Sequence, residues 1–194
     1  MTTILALDIA MRRTGWAVGG VDWDRPRWGV FETHNWCKET CDRELTAWRK
    51  WIEALHAEHR FDTVSVEEVF VNANGKSFNF KGTQFQMMAS GVLFQWCHER
   101  GIGTFEAGID GWRDRFLGLN RKPKDFQKDD DYWKKLALKV AAQRNWFCEH
   151  HDEAEALGIL DFSLAALSKP YRLRTEKYVA KQHQDIDHKM GAHS

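Results

Sequence analysis

The spacing of the first three strand-like segments constrains the fold more than any other feature of this sequence. Residues 3–8, 16–18 and 28–31 are short apolar runs, and brief turns rich in Gly, Asp and Arg separate them. Turns this short join strands as antiparallel hairpins, because a parallel pair needs a crossover connection of roughly a dozen or more residues. The sequence therefore predicts that the fold begins with three antiparallel strands.

Helices and strands alternate in the rest of the chain, as judged by the period of the apolar residues. The predicted elements are helices over 39–59, 80–99, 110–117, 132–146 and 152–167, strands over 63–67 and 102–105, and a polar loop over 119–131. This order predicts an α/β fold. Its mixed five-stranded sheet has three antiparallel strands and then two parallel ones, and helices flank both faces.

Length and composition fit a globular domain. The chain has 194 residues, 43% of them hydrophobic, and no apolar run approaches the roughly 20 residues of a membrane span. Its four cysteines form no C-x-x-C pair, so we expect reduced thiols and a cytoplasmic protein without membrane contact. We place one domain at 1–167 and a basic tail at 168–194, which we expect to be partly disordered.

The charge is balanced overall but unevenly distributed. Lys+Arg and Asp+Glu both number 28, which excludes a wholly basic, histone-like surface. Residues 145–167 carry five acids and no Lys or Arg, whereas residues 71–124 carry eight basic and four acidic side chains. An acidic pocket beside basic flanks is typical of a metal site facing a polyanion, although ordinary solvated surface charge would explain the same distribution.

Acidic residues end two of the predicted strands and begin the last helix. Asp8 ends the first strand and Glu67 the fourth, which are plausible neighbours in a mixed sheet. Asp152 and Glu155 are three residues apart and so share one helix face. Converging carboxylates repel one another unless cations lie between them, and hard oxygen ligands favour Mg²⁺ or Mn²⁺. Two such ions about 3.5–4 Å apart would clamp a phosphodiester and activate a water molecule.

Four segments resemble the RuvC family of Holliday junction resolvases, especially its compact phage and proteobacterial members. They are Leu5-Ala6-Leu7-Asp8-Ile9-Ala10 with Thr14-Gly15-Trp16, Val66-Glu67-Glu68-Val69-Phe70, Trp112-Arg113-Asp114-Arg115-Phe116-Leu117-Gly118, and Asp152-Glu153-Ala154-Glu155-Ala156-Leu157-Gly158. The resemblance implies a ribonuclease H-like fold and a homodimer that nicks two opposed strands of a four-way DNA junction. It implies two Mg²⁺ or Mn²⁺ ions per active site, held by the catalytic residues Asp8, Glu67, Asp152 and Glu155.

The sequence departs from the family pattern at two places in this motif set. Ile9-Ala10 stands where the family usually has a glycine, and Glu155 stands where it usually has aspartate. If one of these four side chains points away from the site, a neighbouring residue could replace it as a metal ligand. The candidates for this replacement are Glu68, His151 and Glu153.

Further residues are predicted to bind DNA. Phe70 matches a position where the family places an aromatic side chain near the junction centre, and stacking on a base is worth roughly 1–3 kcal/mol. Basic side chains that could contact phosphates without reading sequence are Lys76, Lys81, Arg113 and Arg115. Packing in the core and ordinary solvation remain the alternatives for these residues.

Several functions are compatible with these observations. The leading hypothesis is a metal-dependent endonuclease that resolves four-way junctions by paired nicks. A general debranching nuclease of the same fold and a non-catalytic junction-binding protein are the alternatives. A sugar-kinase or actin-like ATPase also opens with a strand, an Asp and a Thr-Gly hairpin, but this chain is too short for two lobes and lacks a Gly-rich phosphate loop. The sequence leaves open whether a branch-migration motor is a partner.

Overall fold

The computed structural model describes residues 2–33, 40–69, 80–176 and 178–180. Its strands are β1 (Thr3–Asp8), β2 (Arg13–Gly20), β3 (Arg27–Glu32), β4 (Thr63–Glu67) and β5 (Gly103–Ala107). Its helices are α1 (Cys41–His59), α2 (Phe80–Arg100), α3 (Ile109–Leu117), α4 (Tyr132–Gln143) and α5 (His151–Leu167), with a short 3₁₀ turn at Lys124–Phe126. Within the described ranges, no helix is both long enough and apolar enough to cross a membrane.

The five strands form one mixed sheet in the order β3-β2-β1-β4-β5. The pairs β1–β2 and β2–β3 are antiparallel, whereas β1–β4 and β4–β5 are parallel. This confirms the predicted topology, including the adjacency of the first and fourth strands. Because β1 and β4 run in the same direction, Asp8 and Glu67 emerge at the same edge of the sheet.

Several element boundaries differ from the sequence prediction, and three of these differences have a clear cause. Strand β2 begins at Arg13 rather than near residue 16, because the segment predicted as a turn pairs with β3 through Arg13 and Glu32. Strand β5 extends to Ala107, which pairs with Glu67. Helix α4 ends at Gln143 rather than 146, because Asn145 adopts a left-handed conformation with φ of 62°.

Alternate residues of β1 enter two separate cores. Ile4 and Ala6 contact the core formed with α3, α4 and α5, whereas Leu5 and Leu7 contact the core formed with α1 and α2. Helix α5 is apolar around most of its circumference and is buried between the sheet and two other helices. Because the sheet and two helices pack around α5, its position is fixed, and so is the position of its first turn.

A buried ion cluster fixes the far half of α5. Asp161 is fully buried, and its carboxylate lies 3.0 Å from Arg144 Nη1 and 2.9 Å from Arg115 Nε. The hydroxyl of Tyr171 donates to Asp161 Oδ1 at 2.9 Å. Removing one member of such a cluster would leave a buried charge without its partner, which is strongly destabilising. Tyr171 lies in helical residues 169–176, so part of the segment predicted as a tail packs on the core.

Gly15 of β2 allows the first turn of α5 to approach the sheet edge. A Cβ atom at this position would overlap the backbone carbonyl of Asp152. Gly15 is also the register partner of Asp8. The absent side chain therefore brings the beginning of α5 against the end of β1, where Asp8 lies.

We predict that Gly15→Ala lowers the free energy of unfolding by about 3 kcal/mol, because the new methyl group overlaps backbone atoms that cannot move independently. Gly103→Ala is the control, since a Cβ there makes ordinary contacts at 3.5 Å or more and alanine is intrinsically preferred to glycine in a strand. Chemical denaturation of both variants would measure the difference. Equal midpoints for the two variants would contradict the close contact.

Candidate active site

The four predicted ligands come from three rigid elements that meet at one edge of the sheet. Asp8 ends β1, Glu67 ends β4, and Asp152 and Glu155 lie in the first turns of α5. Asp8 and Asp152 are buried, whereas Glu67 and Glu155 are partly exposed. The structure thus brings together all four residues that the sequence singled out.

The electrostatics of the cluster show that these carboxyls are close neighbours. Burial, followed by the charges of Glu155, Glu67 and Asp152, raises the pKa of Asp8 well above its usual range. Burial and the charge of Glu67 raise the pKa of Glu155 to about 7. Hydrogen bonding between the two side chains raises the pKa of Asp8 further and opposes the rise in the pKa of Glu155. Without a cation, therefore, Asp8 and Glu155 hold their protons to a higher pH than isolated carboxyls do.

Two side chains of α3 moderate the charge on this cluster. Burial raises the pKa of Glu67, but the Arg113 guanidinium and a hydrogen bond from Trp112 oppose that rise. Trp112 Nε1 donates to Glu67 Oε1 at 3.4 Å. The Arg113 guanidinium lies 4.7 Å from the ring centre of Trp133 and 5.4 Å from that of Trp112, so its charge is held beside Glu67 and Glu155.

Arg13 of β2 also lies beside the cluster, next to Asp152. Its Nη1 atom lies 3.8 Å from Asp152 Oδ2 and 3.3 Å from His150 Nδ1. Its Nη2 atom donates to Glu32 Oε1 at 3.2 Å. At 3.8 Å the contact with Asp152 is an ion pair without a hydrogen bond.

The cluster has the donor chemistry of a divalent metal site but not a closed cage. Among the described residues, no three Asp, Glu, His or Cys side chains are already arranged around a common ion position. Mutual repulsion accounts for this, because carboxylates without a cation turn toward Arg13, toward Trp112 or into a hydrogen bond with one another. Asp152 Oδ2 is buried and has no hydrogen-bond partner in the described part of the chain. An unsatisfied carboxylate oxygen in an all-oxygen donor set fits Mg²⁺ or Mn²⁺.

The three substitute ligands have different surroundings. His151 Nε2 lies 3.3 Å from Asp152 Oδ1, and burial lowers the pKa of its imidazole. Glu153 accepts hydrogen bonds from the backbone N–H groups of Glu149 and His150, at 2.7 and 3.0 Å, and so caps α5. Glu68 is exposed and follows β4. Of these, His151 adjoins a predicted ligand, and Glu153 has a structural role.

The predicted DNA-binding residues are not in equivalent positions. Arg113 lies beside the carboxylates, and Lys81 is exposed in the first turn of α2. Arg115 is turned into the interior, where Asp161 engages it and 14% of its side chain is exposed. That placement does not fit the predicted phosphate contact, because the buried carboxylate requires the guanidinium. Phe70 and Lys76 lie outside the described residues.

The first departure from the family pattern is accommodated by packing. Ile9, the first residue of the pair Ile9-Ala10 that lacks the glycine of the family pattern, is buried in the core formed with α1 and α2. The backbone carbonyl of Ile9 accepts a hydrogen bond of 2.7 Å from Gln86 Nε2 of α2. Helix α2 therefore anchors the segment immediately after Asp8, where the glycine is absent.

Arg13, Trp112 and Gln86 contribute to the site but were not singled out from the sequence. Trp112 lies within a segment that carried the family resemblance, so its position offered a signal. Arg13 and Gln86 offered none, because their contacts join residues 137 and 77 positions apart in the chain. Such contacts depend on the assembled sheet and helices.

Comparison with known proteins supports the fold and, over part of the chain, the sequence resemblance. The crossover junction endodeoxyribonuclease RuvC of Caulobacter vibrioides is 42% identical over 79 residues, which span 39% of this chain and 46% of that protein. The matched segment is thus about half of the length of that relative. No protein-family model matches the chain.

Solved structures show the same architecture at low sequence identity. Thermus thermophilus RuvC in complex with a Holliday junction substrate superposes with a TM-score of 0.57, 16% identity, and coverage of 82% of this chain and 90% of that one. The yeast mitochondrial Holliday junction resolvase Ydc2 gives a TM-score of 0.53, 10% identity, and coverage of 96% and 84%. The chain therefore has the mixed-sheet, ribonuclease H-like fold of RuvC, and it is RuvC-like in sequence over the matched segment.

We predict that the metal-free protein loses stability as the pH rises between about pH 5 and pH 8. The raised pKa values of Asp8 and Glu155 mean that the folded state binds these protons more tightly than the unfolded chain. Raising the pH through the pKa of about 7 at Glu155 removes that advantage, at a cost on the order of 3 kcal/mol. Thermal unfolding in EDTA across this range would measure it.

Glu155→Gln is the matched variant for this measurement, since it keeps the side-chain shape and removes the titration. We expect its melting temperature to change less with pH than that of the wild type. Added Mn²⁺ should stabilise the wild type more at pH 8 than at pH 5, because cations replace the protons. A wild-type melting temperature that rises with pH would contradict the assignment.

Proposed function

We propose that this chain is a metal-dependent, structure-selective DNA endonuclease that resolves four-way junctions by paired nicks. The observation that carries the proposal is the convergence of Asp8, Glu67, Asp152 and Glu155 at one sheet edge, on the fold of RuvC. All four carboxyls are buried or half-buried, and the raised pKa values of Asp8, Glu67 and Glu155 are costly to the folded state. Functional sites are where such a cost is usually found.

Each group of the site has a role in this proposal. The four carboxylates would hold two Mg²⁺ or Mn²⁺ ions, which when bound would activate a water molecule and stabilise charge on the phosphodiester. Asp8 and Glu155, whose pKa values are raised, would release protons in order to hold these ions. Trp112 orients Glu67 through its indole N–H. Arg113 holds positive charge beside Glu67 and Glu155, where a DNA phosphate would also approach.

A homodimer is part of the proposal, because paired nicks in a two-fold junction need two sites related by a two-fold axis. Helix α2 provides a surface for it. Phe80 and Met87 are 65% and 58% exposed, and Gly91 has open space where a side chain would be. Positions 80, 87 and 91 follow the helical period, so they line one stripe of α2. The buried side of the same helix, including Phe85 and Trp96, packs on the core.

Branched DNA is the proposed substrate, and we infer that the protein acts in the cytoplasm of a bacterium or phage-infected host, where such DNA occurs. Phe70, Lys76, Lys81 and Arg113 remain the proposed DNA contacts. We also propose that residues 1–167 form the nuclease unit, with the helical residues 169–176 packed against it through Tyr171.

The decisive experiment is nicking of an end-labelled synthetic four-way junction beside a linear duplex of the same sequence, with Mg²⁺ and Mn²⁺ tested separately. Symmetric paired nicks in the junction alone would support the proposal. Equal cutting of both substrates would indicate a general nuclease with the same metal centre. Binding without cutting in either metal would indicate a non-catalytic junction-binding protein.

We predict that Glu67→Gln lowers the nicking rate by on the order of a hundredfold or more, because it removes an ion ligand while retaining the side-chain shape. Glu68→Gln is the adjacent control, and it should keep most of the activity because Glu68 is exposed at the end of β4. Junction affinity, measured by gel shift in EDTA, should be similar for both variants. A Glu68→Gln variant as inactive as Glu67→Gln would mean that the ligand assignment at this strand end is wrong.

We predict that Met87→Glu weakens self-association, because it places a charge in the middle of the α2 stripe. Sedimentation velocity across a range of micromolar concentrations would measure the dimer fraction. Leu173→Glu is the control, since Leu173 is equally exposed, at 59%, on a different helix. If Met87→Glu dimerises like the wild type, another surface forms the dimer.

A further inference from the structure

Three buried polar atoms beside the carboxylate cluster lack hydrogen-bond partners among the described residues. They are the acceptor Asp152 Oδ2 and the donors Arg13 Nε and Arg113 Nε. The first two belong to an interacting pair, Asp152 and Arg13. The two residues are ion-paired through a different nitrogen, Arg13 Nη1, which lies 3.8 Å from Asp152 Oδ2. The ion pair therefore satisfies the charges of both residues without satisfying their hydrogen bonds.

This arrangement differs from the other buried ion pairs of the protein. Asp161 Oδ2 also lacks a hydrogen-bond partner among the described residues, but Asp161 is fully buried and is contacted at 2.9 Å by Arg115 and at 3.0 Å by Arg144. Asp152 instead has one cation at a longer distance, and that cation is 33% exposed. A buried carboxylate whose cationic partner is this distant is stabilised when a cation in closer contact replaces that partner.

Arg13 also has a second anionic partner, which lies away from the cluster. Its Nη2 atom donates to Glu32 Oε1 at 3.2 Å, and half of the Glu32 side chain is exposed. Glu32 is the register partner of Arg13 on β3. The guanidinium can thus keep this partner if it moves away from Asp152.

We propose that Arg13 is a positioning residue that occupies Asp152 as a stand-in cation and yields this carboxylate to a divalent metal ion, with Glu32 retaining the guanidinium. This inference rests on the proposed metal centre. Arg13 would then compete with the metal ion for Asp152. While the guanidinium lies at Asp152, an incoming cation must either displace the guanidinium or bind against its electrostatic repulsion. Arg13 therefore lowers the affinity of the site for the metal and stabilises the metal-free fold.

The test measures Mn²⁺ affinity without DNA, by isothermal titration and by the Mn²⁺-induced shift in melting temperature. Arg13→Gln should bind Mn²⁺ roughly tenfold more tightly than the wild type, because it removes a unit charge a few ångströms from the ion position. Its melting temperature in EDTA should be lower than that of the wild type. Arg12→Gln is the charge-matched control on the adjacent, exposed residue, and it should change neither quantity appreciably.

Glu32→Gln provides a test in the opposite direction with little risk to folding. Without Glu32 the guanidinium has one anionic partner fewer, so it should stay on Asp152 and weaken Mn²⁺ binding. In the Arg13→Gln background, Glu32→Gln should have almost no effect, because its action passes through Arg13. This double-mutant cycle separates coupling through Arg13 from a general change in charge.

The outcomes are distinct. Tighter Mn²⁺ binding by Arg13→Gln, weaker binding by Glu32→Gln and no effect of Glu32→Gln in the double variant would support the inference. Unchanged or weaker Mn²⁺ binding by Arg13→Gln would overturn it, and Arg13 would then merely orient Asp152. Failure of the wild type to bind Mn²⁺ at all would overturn the proposed metal centre together with this inference.

Discussion

The mutual repulsion of four carboxyls at one sheet edge is the constraint on which the rest of the structure depends. Asp8, Glu67 and the α5 acids are placed by backbone elements that cannot separate, because parallel pairing fixes β1 beside β4 and core packing fixes α5. The repulsion is relieved locally. Asp8 and Glu155 are hydrogen-bonded to each other, Trp112 donates to Glu67, Arg13 lies beside Asp152, and Arg113 lies beside Glu67 and Glu155.

Close packing around α5 is what prevents the acids from moving apart. Gly15 brings the first turn of the helix against β2, and Gly158 lies where a Cβ would be 2.7 Å from Phe116 and 2.9 Å from Trp112. The close approach at Gly158 places α3 against α5, and α3 carries both Trp112 and Arg113. At the other end of the helix, the Asp161 ion cluster closes the packing. The absence of side chains at two glycines therefore determines where the charges meet.

The strand topology and the acidic cluster could be predicted from the sequence because local rules determine them. Short turns require antiparallel hairpins, and an acid at the end of a buried strand lies at the sheet edge. The roles of the basic residues could not be predicted in this way. Arg113 and Arg115 are two positions apart on α3, yet one faces the carboxylates and the other faces Asp161. The two arginines differ in environment because different residues of α5 lie next to them, and the position of α5 is set by tertiary packing.

The two departures from the family pattern are compatible with an intact site for physical reasons. Ile9 lies in the core beneath the sheet edge, and Gln86 binds its carbonyl, so the chain leaves β1 along a defined path without a glycine. Glu155 has one methylene more than aspartate, and its carboxyl reaches from α5 into hydrogen-bonding contact with Asp8. The longer side chain thus meets the end of β1 directly. Because the pKa values of both carboxyls are raised, proton release from Asp8 and Glu155 and metal binding by them would be parts of one equilibrium.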